Sequence, residues 1–319
     1  MRLKLVPRNT SWNFFLRSKL WIGISIILVV LSLISFFVQS LNFGIDFRGG
    51  TSIRTESSEP VNVAAYRNAL SSLDLGDITI SEVFDPSFED NQNVAMIRIQ
   101  AQPGQEAATS ILVENSLQKL REVKEDIKFV SVESVGPKVS GELIRTAIIA
   151  VVLAISAVLF YIWIRFEWQF AVGAISALIH DVILTIGVFS LLQIKFDLAI
   201  IAAILTIVGY SLNDTVVVFD RVRENLRKFK KRSLIEVMNL SINETMSRTV
   251  MTSVTTLLAL ISLFVLGGDV IRGFVFAMIW GVVVGTYSSI FIASAILLWT
   301  GVKRDWSRSN AEAGTQVPQ

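Results

Sequence analysis

The sequence contains no cysteine and only one histidine among its 319 residues. Without cysteine the chain cannot form a disulfide, an iron–sulfur cluster or a thiolate metal site. A single histidine excludes the two-histidine motifs of hydrolytic zinc enzymes, and no segment resembles the phosphate-binding loop GxxxxGK[ST]. These absences predict a protein without a metal, a bound cofactor or an enzymatic active site.

Charge is also scarce, and it is unevenly distributed. Charged residues make up 18% of the chain, against roughly 25% in an average soluble protein. Hydrophobic residues make up 52%, and the mean hydropathy is +0.57. Residues 40–140 carry a net charge of −6 and the rest of the chain carries +8. An acidic soluble insert in a basic, apolar chain indicates a membrane protein.

Six stretches are long and apolar enough to form transmembrane helices, which need about 20 such residues. They are predicted at 20–39, 144–164, 170–194, 198–219, 246–268 and 273–302. The first could instead be a signal peptide, because Val38-Gln39-Ser40 loosely resembles a cleavage site. Its apolar run is longer than the roughly 7–15 residues of a signal-peptide core, so we expect a retained helix.

The distribution of lysine and arginine predicts how these helices are oriented, because short basic loops stay in the cytoplasm. The basic segments are 1–19, 220–247 and 303–319. The opposite-side connections, 194–197 and 268–273, carry one base and one acid each. We therefore expect cytoplasmic termini, with residues 40–141 in the periplasm of a cell that has two membranes. The bases between Arg221 and Arg232 lie beside a span, which favours topology and anionic-lipid contact over nucleic-acid binding.

Residues 51–135 show the periodicities of a soluble α+β domain inserted between helices 1 and 2. The predicted elements are a strand at 51–56, a helix at 61–74, strands at 77–84 and 94–101, a helix at 105–124 and a strand at 127–135. This β-α-β-β-α-β order is that of a ferredoxin-like sandwich. The second helix should bury Ile111, Leu112, Leu117 and Leu120. The last strand should alternate Phe129, Ser131 and Glu133 against Val130 and Val132. The acids are scattered, which predicts a solvated surface.

Asp214 is the most informative residue of the predicted spans. A charge at a helix centre costs about 2.5–3.5 kcal/mol on insertion scales, so such residues usually have a function. Asp214 lies five residues inside the Phe219 end, about 7–8 Å by helical rise, too deep for a short side chain to reach the headgroups. The stripe that it shares with Asn213 favours a proton or ion carrier over a structural polar contact.

Two further sites accompany Asp214. Arg248 opens the fifth span at a similar predicted depth, where it could pair with Asp214 or simply extend to the membrane surface. His180 and Asp181 lie near the middle of the third span, and a lone buried histidine often only bridges helices. The predicted proton pathway therefore comprises Asp214 and Arg248, with Asn213, His180 and Asp181 as secondary candidates.

Several motifs give the chain a family resemblance from about Trp12 to Trp306. They are LNFGIDFRGG at 41–50, VGPKV at 135–139, ALIHD at 177–181, VGYSLNDTVVVFDRVREN at 208–225 and Arg248-Thr249. With these motifs and six spans around one outside loop, the chain resembles the SecD/SecF family of the RND transporter superfamily. The fold class expected is a six-helix RND-type half with a ferredoxin-like periplasmic domain.

The resemblance implies a role in Sec-dependent protein export across the bacterial inner membrane, driven by the proton-motive force. It implies SecD as the partner half, the SecYEG channel, an unfolded translocating polypeptide, and YajC and YidC as further candidate partners. The family's proton-pathway positions carry over to Asp214 and Arg248. Two other functions stay open, half of another RND-type proton-coupled exporter and a structural membrane scaffold.

Overall fold

A computed structural model of the chain describes residues 10–73, 75–83, 85–86, 88–89, 91–101 and 110–302. Several predictions lie outside these residues: the basic positions within 1–9, the start of the second domain helix at 105–109, the predicted element ends at Asp74 and Phe84, and the tail 303–319.

The helices of the described chain include six that are long and apolar enough to cross a membrane, as predicted. In chain order, the elements are α1 (Ser18–Gln39), β1 (Asn42–Phe43), α2 (Ile45–Arg48), β2 (Gly50–Ser57), α3 (Val63–Leu70), β3 (Ile78–Val83), β4 (Asn93–Gln100), α4 (Ser110–Val123), β5 (Lys128–Val135), α5 (Pro137–Arg165), α6 (Trp168–Leu192), β6 (Lys195–Phe196), α7 (Leu198–Lys228), α8 (Leu234–Leu266), α9 (Gly268–Ser288) and α10 (Ser294–Thr300). A 3-10 turn follows α3 at Ser71–Leu73. A π-helical turn, Ser289–Ala293, joins α9 to α10, and the three together form the sixth span.

The basic connection between spans four and five is mostly helical. Helix α7 continues beyond Phe219 to Lys228, because Val222 and Leu226 keep an apolar face in the core while the bases face outward. Helix α8 begins at Leu234 with a capping box. The Ser233 hydroxyl accepts a hydrogen bond from the backbone N–H of Glu236, and the Glu236 carboxylate accepts one from the backbone N–H of Ser233. Both helices therefore extend past the apolar stretches that predicted them.

The N-terminal segment lies against α8. Two asparagines one turn apart on α8 bind its backbone: Asn243 accepts from Trp12 N–H at 3.0 Å and donates to Trp12 C=O at 2.8 Å, and Asn239 accepts from Phe14 N–H at 2.9 Å. The Phe14 ring packs edge-on against Phe291 of the π-helical turn. This segment therefore connects α8 to the sixth span.

The inserted domain has the predicted order of elements. Its strands form one antiparallel sheet in the order β3-β4-β2-β5, and α3 and α4 pack on one face. The core contains Ile53, Tyr66, Leu70, Ile97 and Leu120, each at most 1% exposed. The prediction for Ile111 was wrong, since it is 71% exposed. Ile111 lies on the outward face of α4, whereas the neighbouring Leu112 and Val113 pack against the core.

A β-bulge interrupts the predicted alternation of the last strand. Arg54 pairs with Ser131, but the neighbouring Thr55 pairs with Phe129, which leaves Val130 without a partner in the register. An extra residue shifts which side chains share a face. Phe129 and Val132 therefore both lie on the side of the sheet that faces the helices, rather than on opposite sides.

The chain entering the domain is hydrogen-bonded to the membrane helices. β1 pairs in parallel with β6, and Gly44 N–H donates to Phe196 C=O at 2.8 Å. The Asp46 carboxylate accepts from the backbone N–H of Leu198, the first residue of α7, at 3.1 Å. A Cβ on Gly44 would lie 2.9 Å from the movable end of the Lys195 side chain and 3.3 Å from Asp197 Cβ, so the chain passes close to β6 here.

Helices α6, α7 and the sixth span form the buried centre of the bundle, while α1, α5 and α8 are mostly exposed. Small residues on α9 allow α7 to approach closely. A Cβ on Gly281 would lie 2.3 Å from Ile207, and one on Gly285 would lie 3.0 Å from Ser211. This close contact places the polar groups of α6, α7 and α9 beside one another.

Candidate functional site

Asp181 is the centre of a polar cluster inside the bundle. Its side chain is 1% exposed, and Oδ2 accepts hydrogen bonds from Ser211 of α7 at 2.7 Å and from Ser288 of α9 at 2.8 Å. Its Oδ1 lies 3.0 Å from Nδ1 of His180. A buried carboxylate in a membrane protein requires such partners. The cluster therefore links α6, α7 and α9 at one point.

His180 connects this cluster to α1 through an aromatic ring. Its ring lies 6.1 Å from that of Tyr287. The Tyr287 hydroxyl lies 2.9 Å from the Ser25 hydroxyl and donates to Trp21 C=O at 2.9 Å. Nε2 of His180 is buried and has no hydrogen-bond partner among the residues described. The geometry accommodates both a bridge between helices and a group that exchanges a proton.

A second set of hydroxyls continues along α7 toward its basic end. Thr215, one turn after Ser211, lies 2.8 Å from the hydroxyl of Ser289, which also donates to Ser211 C=O at 3.3 Å. Ser289 is the first residue of the π-helical turn, and Ser294 donates to its carbonyl at 3.2 Å. The π-helical turn therefore begins where the Ser289 hydroxyl contacts α7.

Asp214 lies between these two layers along α7. It is 3% exposed, and its Oδ2 has no hydrogen-bond partner within the described part of the chain. A buried polar oxygen without a partner is costly and often marks a functional position. An ionisable group of this kind, inside a transmembrane helix, is what a proton carrier requires.

Arg248 lies close to Asp214 but does not form an ion pair with it within 4.0 Å in the residues described. Hydrogen bonds place Tyr210 beside Thr256 and Asn225 beside Ser241 on the antiparallel α8. Asp214 is therefore level with Thr252, and Arg248 lies one helical turn further along. Arg248 is exposed, yet near enough to attract Asp214 electrostatically. The two predicted residues are neighbours that do not touch.

Asn213 belongs to an exposed face that α7 and α8 share. Its members are small or polar: Ala202, Thr206, Gly209 and Asn213 on α7, and Arg248, Thr255, Ala259 and Ser262 on α8. The hydroxyls of Thr206, Thr255 and Ser262 donate to backbone carbonyls of their own helices, so these three groups need no hydrogen-bond partner from outside. Of the residues on this face, Arg248 and Asn213 are those whose exposure to lipid would cost the most free energy.

The acids and the histidine of this site were predictable from the sequence, but the serines that hold Asp181 were not. Ser211 and Ser288 are unremarkable in sequence, because serine is common in transmembrane helices. A buried carboxylate needs donors from other helices, and that requirement was the only indication of them. Among the described residues, no group of three or more histidines and acids is placed to hold a metal ion.

Comparison with known proteins connects this geometry to a family. Residues 115–303 match the family described as protein export membrane protein SecD/SecF, C-terminal, and residues 34–61 match the SecD/SecF GG motif. The chain is 58% identical over 315 residues to the protein translocase subunit SecF of Cereibacter sphaeroides, covering 99% of this chain and 97% of the relative. It is 41% identical over 303 residues to that of Vibrio alginolyticus, covering 95% and 94%.

Solved structures agree with these sequence relatives. The crystal structure of SecDF, a translocon-associated membrane protein from Thermus thermophilus, superposes with a TM-score of 0.83 at 34% identity over 94% of this chain. A SecDF structure in a super-membrane-facing form gives 0.68 at the same identity over 98%. The chain spans 40% and 41% of the lengths of those two chains.

Proposed function

The chain belongs to the SecD/SecF family of protein export membrane proteins, and we propose that it uses the proton-motive force to promote late steps of polypeptide translocation. It is a multi-pass membrane protein and a Sec protein translocase subunit, a transport component rather than a classical enzyme. Its relatives do not favour a different RND-type exporter or a structural scaffold.

The observation that carries the proton-coupling proposal is the position of Asp214. A proton that crosses a membrane potential of 100 mV releases about 2.3 kcal/mol, enough to bias a conformational equilibrium. Using it requires a group that ionises reversibly inside the bundle. Asp214 is buried, its Oδ2 has no hydrogen-bond partner among the residues that the structure describes, and Arg248 is one turn away. An approach of Arg248 would favour the ionised carboxylate, and its withdrawal would favour the protonated acid.

His180 and Asp181 are proposed as secondary members of the pathway. The Asp181 carboxylate is fully engaged by Ser211, Ser288 and His180, which supports an anchoring contribution. Nε2 of His180 is a buried polar atom of this cluster that has no hydrogen-bond partner in the described part of the chain. Asn213 directly precedes Asp214 in the chain but lies on the exposed side of α7, where it would contact a partner that covers this side.

The shared exposed face of α7 and α8 supports SecD as the partner. This chain corresponds to about two fifths of a SecDF chain, which leaves the length of a second half unaccounted for. Covering Arg248 and Asn213 with a second helical bundle would remove them from lipid. We therefore place SecD against this face.

The inserted domain is proposed to be a ferredoxin-like domain in the periplasm, with both termini in the cytoplasm and the bundle in the inner membrane. The bases at the ends of α5 and α7 support this orientation. In this arrangement the domain would meet an unfolded polypeptide leaving SecYEG. YajC and YidC stay candidate partners by family resemblance.

The test measures export in inverted membrane vesicles that contain SecYEG, SecD and this chain, with and without a proton gradient. Asp214→Asn keeps the size of the side chain but cannot titrate, so gradient-stimulated export should be lost at normal protein levels. Asp220→Asn is the matched control, because Asp220 lies on the same helix but pairs with Arg165 at 3.0 Å outside the apolar region. Normal gradient stimulation in Asp214→Asn would refute the proton-carrier proposal.

Orientation is tested separately with single cysteines, which suits a chain that has none of its own. A cysteine at Ser58, in the inserted domain, should react with an impermeant reagent added from the periplasmic side. A cysteine at Lys231, between α7 and α8, should react only from the cytoplasmic side. The reverse pattern would show that the proposed topology is wrong.

A further inference from the structure

We propose that the membrane-surface end of α5 and α7 binds the phosphodiester headgroup of an anionic phospholipid. A cleft of ≈ 570 Å³ opens there. It is lined by four bases and two acids: Arg165, Arg223, Arg227, Lys228, Asp220 and Glu224. Basic pockets between transmembrane helices are characteristic sites for anionic headgroups. This proposal does not depend on the export activity.

The charges of the cleft leave it positive. Asp220 is shared between Arg165 at 3.0 Å and Arg223 at 3.8 Å. Glu224 pairs at 2.6 Å with Arg221, a base that does not line the cleft. Arg221 is itself shared with Glu244 at 2.7 Å, so it neutralises Glu224 only in part. The four bases that line the cleft nevertheless outnumber its two acids. A phosphodiester supplies the negative charge that this arrangement lacks.

Arg165 and Arg223 both stack on the ring of Phe166. Their guanidinium carbons lie 5.1 Å and 5.3 Å from the centroid of the Phe166 ring. Arg223 also donates to Arg165 C=O at 3.3 Å, at the end of α5. Its Nε is buried and has no hydrogen-bond partner in the part of the chain that the structure describes. Fixed guanidinium donors suit phosphate oxygens.

The apolar surface beside the cleft favours a lipid over a soluble anion or an acidic protein. The last turns of α5 expose Phe160, Trp163 and Ile164, directly before Arg165. Helix α5 is a candidate transmembrane span, so these side chains face the acyl region just below the headgroups. Tryptophan is enriched at this depth. A lipid whose headgroup fills the cleft would lay its chains along this surface.

The full-length protein, purified in detergent, is titrated with phosphatidylglycerol or phosphatidylcholine, and the bound lipid is counted by native mass spectrometry. Arg223→Gln and Arg227→Gln remove bases of the cleft. Arg227 is exposed, so its variant should fold even if loss of the Arg223 contacts disturbs α5. The double variant Lys231→Gln/Arg232→Gln is the control, because it removes two bases of the neighbouring connection that do not line the cleft.

The expected result is about tenfold tighter retention of phosphatidylglycerol than of phosphatidylcholine, weakened about fivefold by each cleft variant and unchanged in the control. Excess inorganic phosphate or polyglutamate should not displace the lipid. Equal retention of the two lipids, or equal weakening in the control, would overturn the proposal. Displacement by phosphate would instead indicate a free-anion site, and displacement by polyglutamate an acidic-peptide site.

Discussion

The hydroxyl of Ser211 donates a 2.7 Å hydrogen bond to Asp181, and Ser211 lies three residues before Asp214 on α7. Successive residues of an α-helix are about 100° apart, so residues three apart differ in direction by about 60°. The bond that turns Ser211 toward α6 therefore contributes, together with the packing of α7 on α9, to the direction in which Asp214 points.

Ser211→Ala should lower both stability and gradient-stimulated export. Interhelical hydrogen bonds in membranes contribute about 0.6 kcal/mol on average, up to about 1.7 kcal/mol, and this one holds a buried carboxylate. We expect a loss near the upper value, measured by unfolding of the purified protein. Ser176→Ala is the control, because in the described structure its hydroxyl donates to Val172 of its own helix. Equal effects of the two substitutions would argue against an orienting function for Ser211.

Gly281→Ala should destabilise the contact between α7 and α9. The added Cβ would lie 2.3 Å from Ile207, and such overpacking costs about 1–3 kcal/mol. Gly209→Ala is the matched control, because nothing lies within 4 Å of a Cβ at that position of α7. Thermal unfolding of both variants is the measurement. Ile207→Ala should partly restore the stability of Gly281→Ala, and an absence of any rescue would show that the clash lies elsewhere.

Asn243→Ala should release the N-terminal segment from α8. It removes the two hydrogen bonds to Trp12, and it leaves those of Asn239 with Phe14 and Asn13 and that of Thr10 with the backbone carbonyl of residue 243. Hydrogen exchange at the Trp12 amide should become about tenfold faster, since each such bond contributes about 0.5–1.5 kcal/mol. Asn68→Ala, on the exposed surface of α3, is the control. Unchanged exchange at Trp12 would mean that Asn243 does not hold the segment.

Acidification should loosen the connection between β2 and α3 near Ser58. Hydrogen bonds from the Ser58 side chain and backbone lower the pKa of Asp126. Because the folded pKa lies below the unfolded value of roughly 3.9, the stabilisation is present above that value and is lost as pH falls through the folded pKa. Asp126→Asn should abolish this pH dependence, measured by hydrogen exchange around Ser58 after correction for intrinsic rates. Glu125→Gln should retain it.

Apolar stretches and soluble periodicities were sufficient to predict the six spans and the order of elements in the inserted domain. Hydropathy reports where a helix lies in the membrane and not where it ends, so it placed the end of the fourth span at Phe219 although α7 continues to Lys228. The bulge at Val130 depends on pairing with β2, which lies more than seventy residues away in the chain. No local pattern could predict it.

The site was predictable to a similar extent. Asp214, Asp181 and His180 are identified by the cost of placing them in a membrane, which a single sequence reveals. Their surroundings depend on how helices rotate against each other. Only the packed bundle shows that Asp181 is held by Ser211 and Ser288 while Oδ2 of Asp214 has no partner among the residues described.

The short pairing of β1 with β6 determines how a mechanical load would travel through the molecule. Gly44 bonds to Phe196, and Asp46 bonds to the first backbone N–H of α7. A pull on the inserted domain would therefore not stretch a slack linker. It would be shared between the covalent connections to α1 and α5 and these bonds to the start of α7, the helix that carries Asp214 into the membrane.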